Sequence, residues 1–256
     1  MQKFLPALLV VLLLTLAVNS IVTYAAEDLS QFKGQQLRLF VAAGMKKPMD
    51  ETIAAFEKAS GARVLPNYGP SGGLFAQIEL NQPCDLYFTA DWLYVEKLEA
   101  SGKLERARKF LSDNIVLVVS SGGKSKVQKV EDLIKPNVSL VICDQQAPVG
   151  IYAENGLRSL GLFDKLGDNI KARPSTVNQV AIMVKENQVD AGLIFSSVAN
   201  GNGLEPVDVI DTKHTGEIVF ATAIIKGGKT ALAEAFENFA FKNAANFAKY
   251  GWVPYE

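Results

Sequence analysis

Strand-like and helix-like patterns alternate along this chain, and this alternation restricts the possible folds more than any other feature. Residues 37–41 (LRLFV) are mostly apolar and residues 115–119 (IVLVV) wholly so, and both runs have the length of strands. Between them, Met49, Ile53 and Phe56 recur at the spacing of one helix face. Such alternation is typical of α/β folds, so we predict largely parallel sheets flanked by helices.

The N-terminus has the pattern of an export signal. Residues 4–18 are almost wholly apolar, and Thr23 and Ala25 are the small residues of a cleavage site. The apolar stretch is shorter than the roughly 20 residues of a membrane-spanning helix. We predict a signal peptide over residues 1–25 and a periplasmic or extracytoplasmic protein; an uncleaved N-terminal anchor is the alternative.

The charge balance excludes one class of partner. The 26 basic and 27 acidic residues nearly cancel, which leaves no basic surface for nucleic acid. Two cysteines, Cys84 and Cys143, are too few for a disulfide framework. Because each borders a predicted buried strand, we favour two buried free thiols over the single disulfide that export would permit.

A glycine-rich segment, residues 68–74, precedes a stretch with helical periodicity and places Ser71 where the helix begins. Glycines let a backbone approach a ligand closely. The first N–H groups of a helix have no partner within it and lie at the positive end of its dipole, so they form an anion site. The alternative is that Ser71 is an ordinary helix N-cap.

An enzymatic alternative starts from the same segment. Gly69, Ser71 and Gly73 satisfy the G-x-S-x-G spelling of a nucleophile elbow. The downstream order of an acid followed by a histidine is absent, however, and the only histidine, His214, lies in a polar segment. We therefore predict that the protein is not an enzyme.

Eight short motifs follow one another from residue 41 to residue 252. They are VAAGM (41–45), AFEK (55–58), YGPSG (68–72), QIE (77–79), DLYFTAD (85–91), PVGIYA (148–153), DAGLIF (190–195) and KYGW (249–252). In this order and spacing the chain, from about residue 37 to its C-terminus, resembles the periplasmic molybdate-binding proteins of ABC importers. The resemblance implies a two-lobed periplasmic-binding-protein fold with the ligand cleft between the lobes.

The resemblance also implies an oxyanion site built from neutral donors. Ser71 matches a ligand-binding serine, and Val149 and Val177 match positions that offer backbone N–H groups at helix starts. Two family positions differ: a serine of the first loop falls on Gly44, and a tyrosine of the second lobe falls on Phe195.

Backbone N–H groups remain in the first loop despite the missing hydroxyl. The implied ligand-binding set is Gly44, Met45, Ser71, Gly72, Val149, Val177 and Phe195. Replacement donors could come from Tyr152, Ser175, Thr176, Asn178, Ser196 or Ser197.

The implied ligand is molybdate or tungstate, without a cofactor, delivered by a monomer to an ABC transporter permease. No lysine or arginine occurs in residues 41–45, 69–75 or 148–153. A pocket of donors alone would reject protonated phosphate, whose proton needs an acceptor. Sulfate or a small organic acid is the alternative, although an organic acid normally requires an arginine clamp, and Arg158 and Arg173 have the pattern of surface residues.

The same resemblance implies that one lobe is built from two stretches of sequence that are separated by the other lobe. Lobe one would comprise residues 33–112 and 212–256, and lobe two residues 113–211. The chain would then cross twice between the lobes, and two short crossings form a hinge that permits rigid-body closure.

Overall fold

The computed structural model of the protein describes residues 28–255. The predicted signal peptide, residues 1–25, lies outside these residues. Within the described chain, no helix combines the length and the apolar character that crossing a membrane requires.

Eleven strands form among the described residues. In chain order they are β1 (Gln36–Ala42), β2 (Arg63–Gly69), β3 (Leu86–Thr89), β4 (Leu104–Ser112), β5 (Ile115–Val119), β6 (Leu140–Val141), β7 (Ile170–Ala172), β8 (Ala191–Phe195), β9 (Pro206–Ile210), β10 (Val219–Ile225) and β11 (Val253–Pro254). Strands β5, β8 and β10 are buried along their whole length, which explains their continuous apolar sequences.

Nine α-helices occur in the same part of the chain, together with short 3-10 turns. They are α1 (Lys46–Ser60), α2 (Ser71–Glu79), α3 (Leu93–Ala100), α4 (Pro148–Ser159), α5 (Val177–Lys185), α6 (Ser196–Asn202), α7 (Thr212–Thr215), α8 (Thr230–Lys242) and α9 (Ala245–Ala248). Helix α1 buries Met49, Ile53 and Phe56, as their spacing predicts, and ends at Gly61 in the left-handed region with φ of 68°.

The apolar residues Leu232, Phe236, Phe239 and Phe247 predict one final helix over residues 229–250. This prediction is wrong, because the helix is interrupted at Asn243. The backbone N–H and the side-chain amide of Asn243 both donate to the carbonyl of Phe239, at 3.0 and 2.8 Å. The side-chain bond competes with continuation of the helix. The chain therefore forms α8 and the separate turn α9.

The strands form two sheets. The first has the order β11-β4-β10-β3-β1-β2 and the second the order β7-β6-β8-β5-β9. Both sheets are mixed rather than mainly parallel. In the first, β10 runs antiparallel to β3 and β4, and in the second, β5 runs antiparallel to β8 and β9. We call the regions around the first and second sheets lobe one and lobe two.

The chain passes between the sheets after β4 and again before β10. Strands β1 to β4, β10 and β11 belong to the first sheet and β5 to β9 to the second. The exact lobe boundaries stay a prediction. Helix α7 packs against α4 of lobe two, and the Ser159 hydroxyl lies 2.8 Å from Nδ1 of His214. This packing favours a second crossing just after Thr215 rather than near residue 211.

Candidate functional site

A small cavity lies between the lobes, where strands of lobe one end and helices of lobe two begin. Its volume is about 20 Å³. The lining residues are Ala42, Ala43, Gly44, Gly69, Pro70, Ser71, Ala90, Ala147, Pro148, Val149, Thr176, Val177, Phe195 and Phe220. Five of the seven residues predicted for the site, namely Gly44, Ser71, Val149, Val177 and Phe195, are therefore brought together here.

Three helices start at this cavity. Helix α2 begins at Ser71, α4 at Pro148 and α5 at Val177. The N–H groups of Val149 and Val177 belong to first turns, where helix geometry provides no internal partner. Three positive dipole ends and first-turn N–H groups around one space have the chemical character that suits an anion.

Among the described residues, Ser71 and Thr176 are the two that line the cavity with a hydroxyl, and that of Ser71 is the one whose proton is not used on another protein group. The Ser71 side chain is 1% exposed, and its Oγ accepts a hydrogen bond from the N–H of Ala90 at 3.1 Å. Its carbonyl accepts the hydroxyl of Tyr87 at 2.8 Å, which fixes the start of α2. The alternative that Ser71 is the helix N-cap is wrong, because Pro70 occupies that position.

Gly44 and Phe195 form apolar parts of the wall. A Cβ added at Gly44 would lie 3.2 Å from methyl carbons of both Val177 and Val198, so little space exists for a side chain. Phe195 is buried, and its ring packs edge to face with Phe220 at a centroid distance of 5.1 Å. The two departures from the family pattern thus coincide with close packing across the cleft.

Met45 and Gly72, the other two predicted residues, do not line the cavity. Met45 is fully buried in the core. The N–H of Gly72 donates to the carbonyl of Gln146 at 2.8 Å and so connects the two lobes. Nothing in the sequence pattern indicates this contact, because Gln146 precedes the PVGIYA motif and belongs to no motif itself.

Among the candidate replacement donors, Thr176 is the one that lines the cavity. Its hydroxyl donates to Oε1 of Gln179 at 3.0 Å within a capping box. Ser196 and Ser197 instead donate to the buried carboxylate of Asp113 beside the first crossing. The amide of Asn178 donates to the carbonyl of Ala43 at 2.7 Å.

The cavity is electrically neutral apart from its dipoles. None of the described residues that line it carries a charged side chain. The nearest carboxyl in sequence is Asp91, next to the lining residue Ala90; burial raises its pKa, and hydrogen bonds from the Leu93 N–H and the Tyr152 hydroxyl partly offset this. Within residues 28–255, no cluster of three or more histidine, cysteine or acidic side chains could hold a metal ion.

The nucleophile-elbow alternative finds no support in this arrangement. A catalytic serine needs a base within hydrogen-bond reach. The only histidine of the sequence, His214, instead contacts Ser159 of α4. Both cysteines are buried free thiols, and burial raises the pKa of Cys143 to about 12.

Comparison with known proteins identifies relatives that match most of the chain. A family profile with the description "Bacterial extracellular solute-binding protein" matches residues 37–253. The molybdate-binding protein ModA of Azotobacter vinelandii is 32% identical over 171 residues, which cover 66% of this chain and 68% of that protein. ModA of Escherichia coli (strain K12) is 25% identical over 231 residues, covering 85% and 89%.

The solved structures agree with the fold. The periplasmic molybdate-binding protein of Azotobacter vinelandii superposes with a TM-score of 0.77 at 22% identity, covering 86% of this chain and all of that chain. The predicted two-lobed α/β fold and the predicted resemblance are therefore confirmed. These matched relatives are binding proteins rather than enzymes.

Proposed function

The chain belongs to the family of bacterial extracellular solute-binding proteins, and from that premise we propose that it captures molybdate or tungstate outside the cytoplasm and delivers it, as a monomer, to the permease of an ABC importer. One observation carries the choice of ligand: an uncharged cavity between the lobes at which three helices begin. The names of the matched relatives, two of them molybdate-binding proteins, support the same ligand.

The donors around the cavity suit a fully deprotonated oxyanion. Molybdate presents four acceptor oxygens and no proton at neutral pH. The N–H groups of Val149 and Val177 and the hydroxyl of Ser71 can each donate to one of them. Phosphate keeps a proton near neutral pH and would need an acceptor, so a site made of donors disfavours it.

The size of the cavity points to a small ion. Its volume is about 20 Å³, where roughly 10–15 Å³ is enough for one water molecule. A small organic acid is disfavoured because the cavity is small and because none of the described arginines lines it to bind a carboxylate. Arg158 and Arg173 both bind the carboxylate of Glu154 on α4, and neither lines the cavity.

We expect the mature protein to bind molybdate and tungstate at least about tenfold more tightly than sulfate or phosphate, a difference of about 1.4 kcal/mol. The metal–oxygen bonds of molybdate and tungstate are longer than the sulfur–oxygen bonds of sulfate, so a rigid ring of donors separates them by size. Calorimetric titration with molybdate, tungstate, sulfate, phosphate and chromate measures this. Equal affinity for sulfate and molybdate would contradict the proposed ligand.

Phe195→Tyr is expected to raise molybdate affinity by up to about tenfold, because a hydroxyl added at a cavity wall offers another donor to a charged acceptor. Calorimetry measures the change. Phe88→Tyr is the control, since Phe88 is fully buried in lobe one, away from the cavity. Its hydroxyl should lower the melting temperature without changing affinity. If Phe195→Tyr behaves like the control, the para position of Phe195 does not face the ligand.

A further inference from the structure

Several hydrogen bonds join the lobes near the cavity, among them those of the Tyr152 hydroxyl with the Asp91 carboxylate and of the Lys47 ammonium with the Gly201 carbonyl. Two others involve backbone groups of the segments that follow β1 and β2. The Gly72 N–H donates to the Gln146 carbonyl at 2.8 Å, and Nδ2 of Asn178 donates to the Ala43 carbonyl at 2.7 Å. Only the second uses a side chain. Asn178 is the second residue of α5, directly after Val177, and is half-buried. Asn178 of lobe two therefore holds the backbone of the segment that follows β1 in lobe one.

The Ala43 carbonyl accepts two hydrogen bonds, from Nδ2 of Asn178 and from the N–H of Lys46 in the 3-10 turn. Both of its lone pairs are used. Because the peptide unit is planar and trans, the N–H of Gly44 points in the direction opposite to this carbonyl. Asn178 and the 3-10 turn therefore fix the orientation of the whole Ala43–Gly44 peptide together, and Asn178 is the contribution from lobe two.

This orientation decides what the loop offers to an anion. Ala43 and Gly44 both line the ligand cavity, whereas Asn178 lies outside it and lines, together with Gly44, a neighbouring cavity of about 260 Å³. While it accepts from Asn178, the Ala43 carbonyl is held toward a residue outside the ligand cavity, and the Gly44 N–H of the same peptide points the opposite way. A carbonyl turned the other way would place an acceptor against the oxygens of the anion.

We infer that Asn178 is a positioning residue for oxyanion capture, which orients the Ala43–Gly44 peptide and holds it against lobe two without touching the ligand. The inference rests on the proposed function. It also explains how glycine serves at position 44: the loop donates a fixed backbone N–H where the crowding by Val177 and Val198 leaves little space for a side chain.

The test measures molybdate affinity by calorimetry, and the melting temperature of the ligand-free protein, for Asn178→Ala, Asn178→Asp and the control Asn202→Ala. Asn202 is also half-buried and donates from Nδ2 to a carbonyl at 2.8 Å, but its partner, Val198, belongs to its own helix. We expect about tenfold weaker binding for Asn178→Ala, since one hydrogen bond between the lobes is lost.

The aspartate variant sharpens the test. Its side chain has almost the size of asparagine but at neutral pH only accepts hydrogen bonds, so it repels the Ala43 carbonyl. We expect it to weaken binding more than the alanine variant does, whereas Asn202→Ala should bind within about twofold of the wild type. A merely structural role would lower the ligand-free melting temperature and leave the affinity unchanged.

The outcomes separate this inference from the function on which it rests. If the wild type binds none of the five oxyanions, both fail. If the wild type binds molybdate and Asn178→Ala binds equally well, or loses no more affinity than Asn202→Ala, only the role of Asn178 is overturned. Tenfold weaker binding with an unchanged melting temperature supports it.

Discussion

Replacing Gly72 by alanine is expected to weaken molybdate binding by about 100-fold, or about 2.8 kcal/mol, while the ligand-free protein stays folded. The new Cβ would lie 2.7 Å from the carbonyl oxygen of Gln146 and 2.8 Å from the hydroxyl of Tyr94. The Gln146 oxygen is backbone, so it moves only if lobe two moves. The substitution thus holds the lobes apart, and apparent affinity falls with the fraction of molecules that can close.

Gly73→Ala is the matched control for this prediction. It makes the same glycine-to-alanine change in the same helical turn, but its nearest neighbours are Cγ of Pro70 at 3.2 Å and Oε1 of Gln146, the end of a flexible side chain, at 3.9 Å. Calorimetry should find its affinity within about twofold of the wild type, because side-chain atoms can yield where backbone cannot. Equal effects of the two substitutions would show that closure does not depend on the contact at Gly72.

Much of the fold was predictable because its strands and helices carry their own local patterns. Strands β5, β8 and β10 are apolar throughout, and α1 places its apolar residues on one face. Strand β4 has no such pattern: its sequence is LERARKFLS, in which charged residues stand in adjacent pairs and do not alternate with apolar ones. Its arginines are neutralised by a residue far along the chain, so no local window of sequence indicates this strand.

The residue that neutralises the arginines of β4 is Glu237 of α8, whose side chain is fully buried. The guanidinium of Arg106 lies 2.5 Å from Oε2 of Glu237, and that of Arg108 lies 3.4 Å from the same atom. The Thr222 hydroxyl of β10 donates to the other carboxylate oxygen. A buried charge requires such partners. Sequence reasoning had no means of pairing residues more than a hundred positions apart without a motif.

The candidate site was partly predictable for a topological reason. Gly44 lies just after β1, Ser71 just after β2, and Val149 and Val177 begin helices of lobe two, so each stands where strands end or helices start. Such positions converge in an α/β fold. What the sequence could not indicate is the direction of individual N–H groups: Gly72, one residue after Ser71, donates across the cleft instead of lining the cavity.

The contacts that control closure are equally absent from the sequence pattern. Asn178 and Ala43 are joined by a hydrogen bond but lie 135 positions apart in the sequence. The sequence offers Asn178 as a possible donor to the ligand, but in the structure its amide donates to the Ala43 carbonyl instead. Its function therefore becomes visible only when the two lobes are in place.

Ser71→Ala is expected to weaken molybdate binding by about 1.5–3 kcal/mol, or roughly 10- to 150-fold, the range for a hydrogen bond to a charged group. The Ser71 Oγ already accepts from the Ala90 N–H, so its own proton is available for the ligand. Alanine would also leave that buried N–H without a partner, and some loss of stability must be separated from the loss of affinity.

Ser60→Ala provides that separation. Ser60 is 2% exposed, and its Oγ accepts from the Ala62 N–H at 3.1 Å, as the Ser71 Oγ accepts from the Ala90 N–H. Its hydroxyl proton is used on the Phe56 carbonyl at 2.7 Å, and Ser60 lies at the end of α1 and does not line the cavity. We expect both variants to melt at lower temperature and only Ser71→Ala to lose affinity in calorimetry. Because the two serines share burial and a backbone N–H donor, the difference in affinity isolates the contact of the Ser71 hydroxyl with the ligand. Unchanged affinity in Ser71→Ala, with the same decrease in melting temperature as in Ser60→Ala, would mean that Ser71 only supports the start of α2.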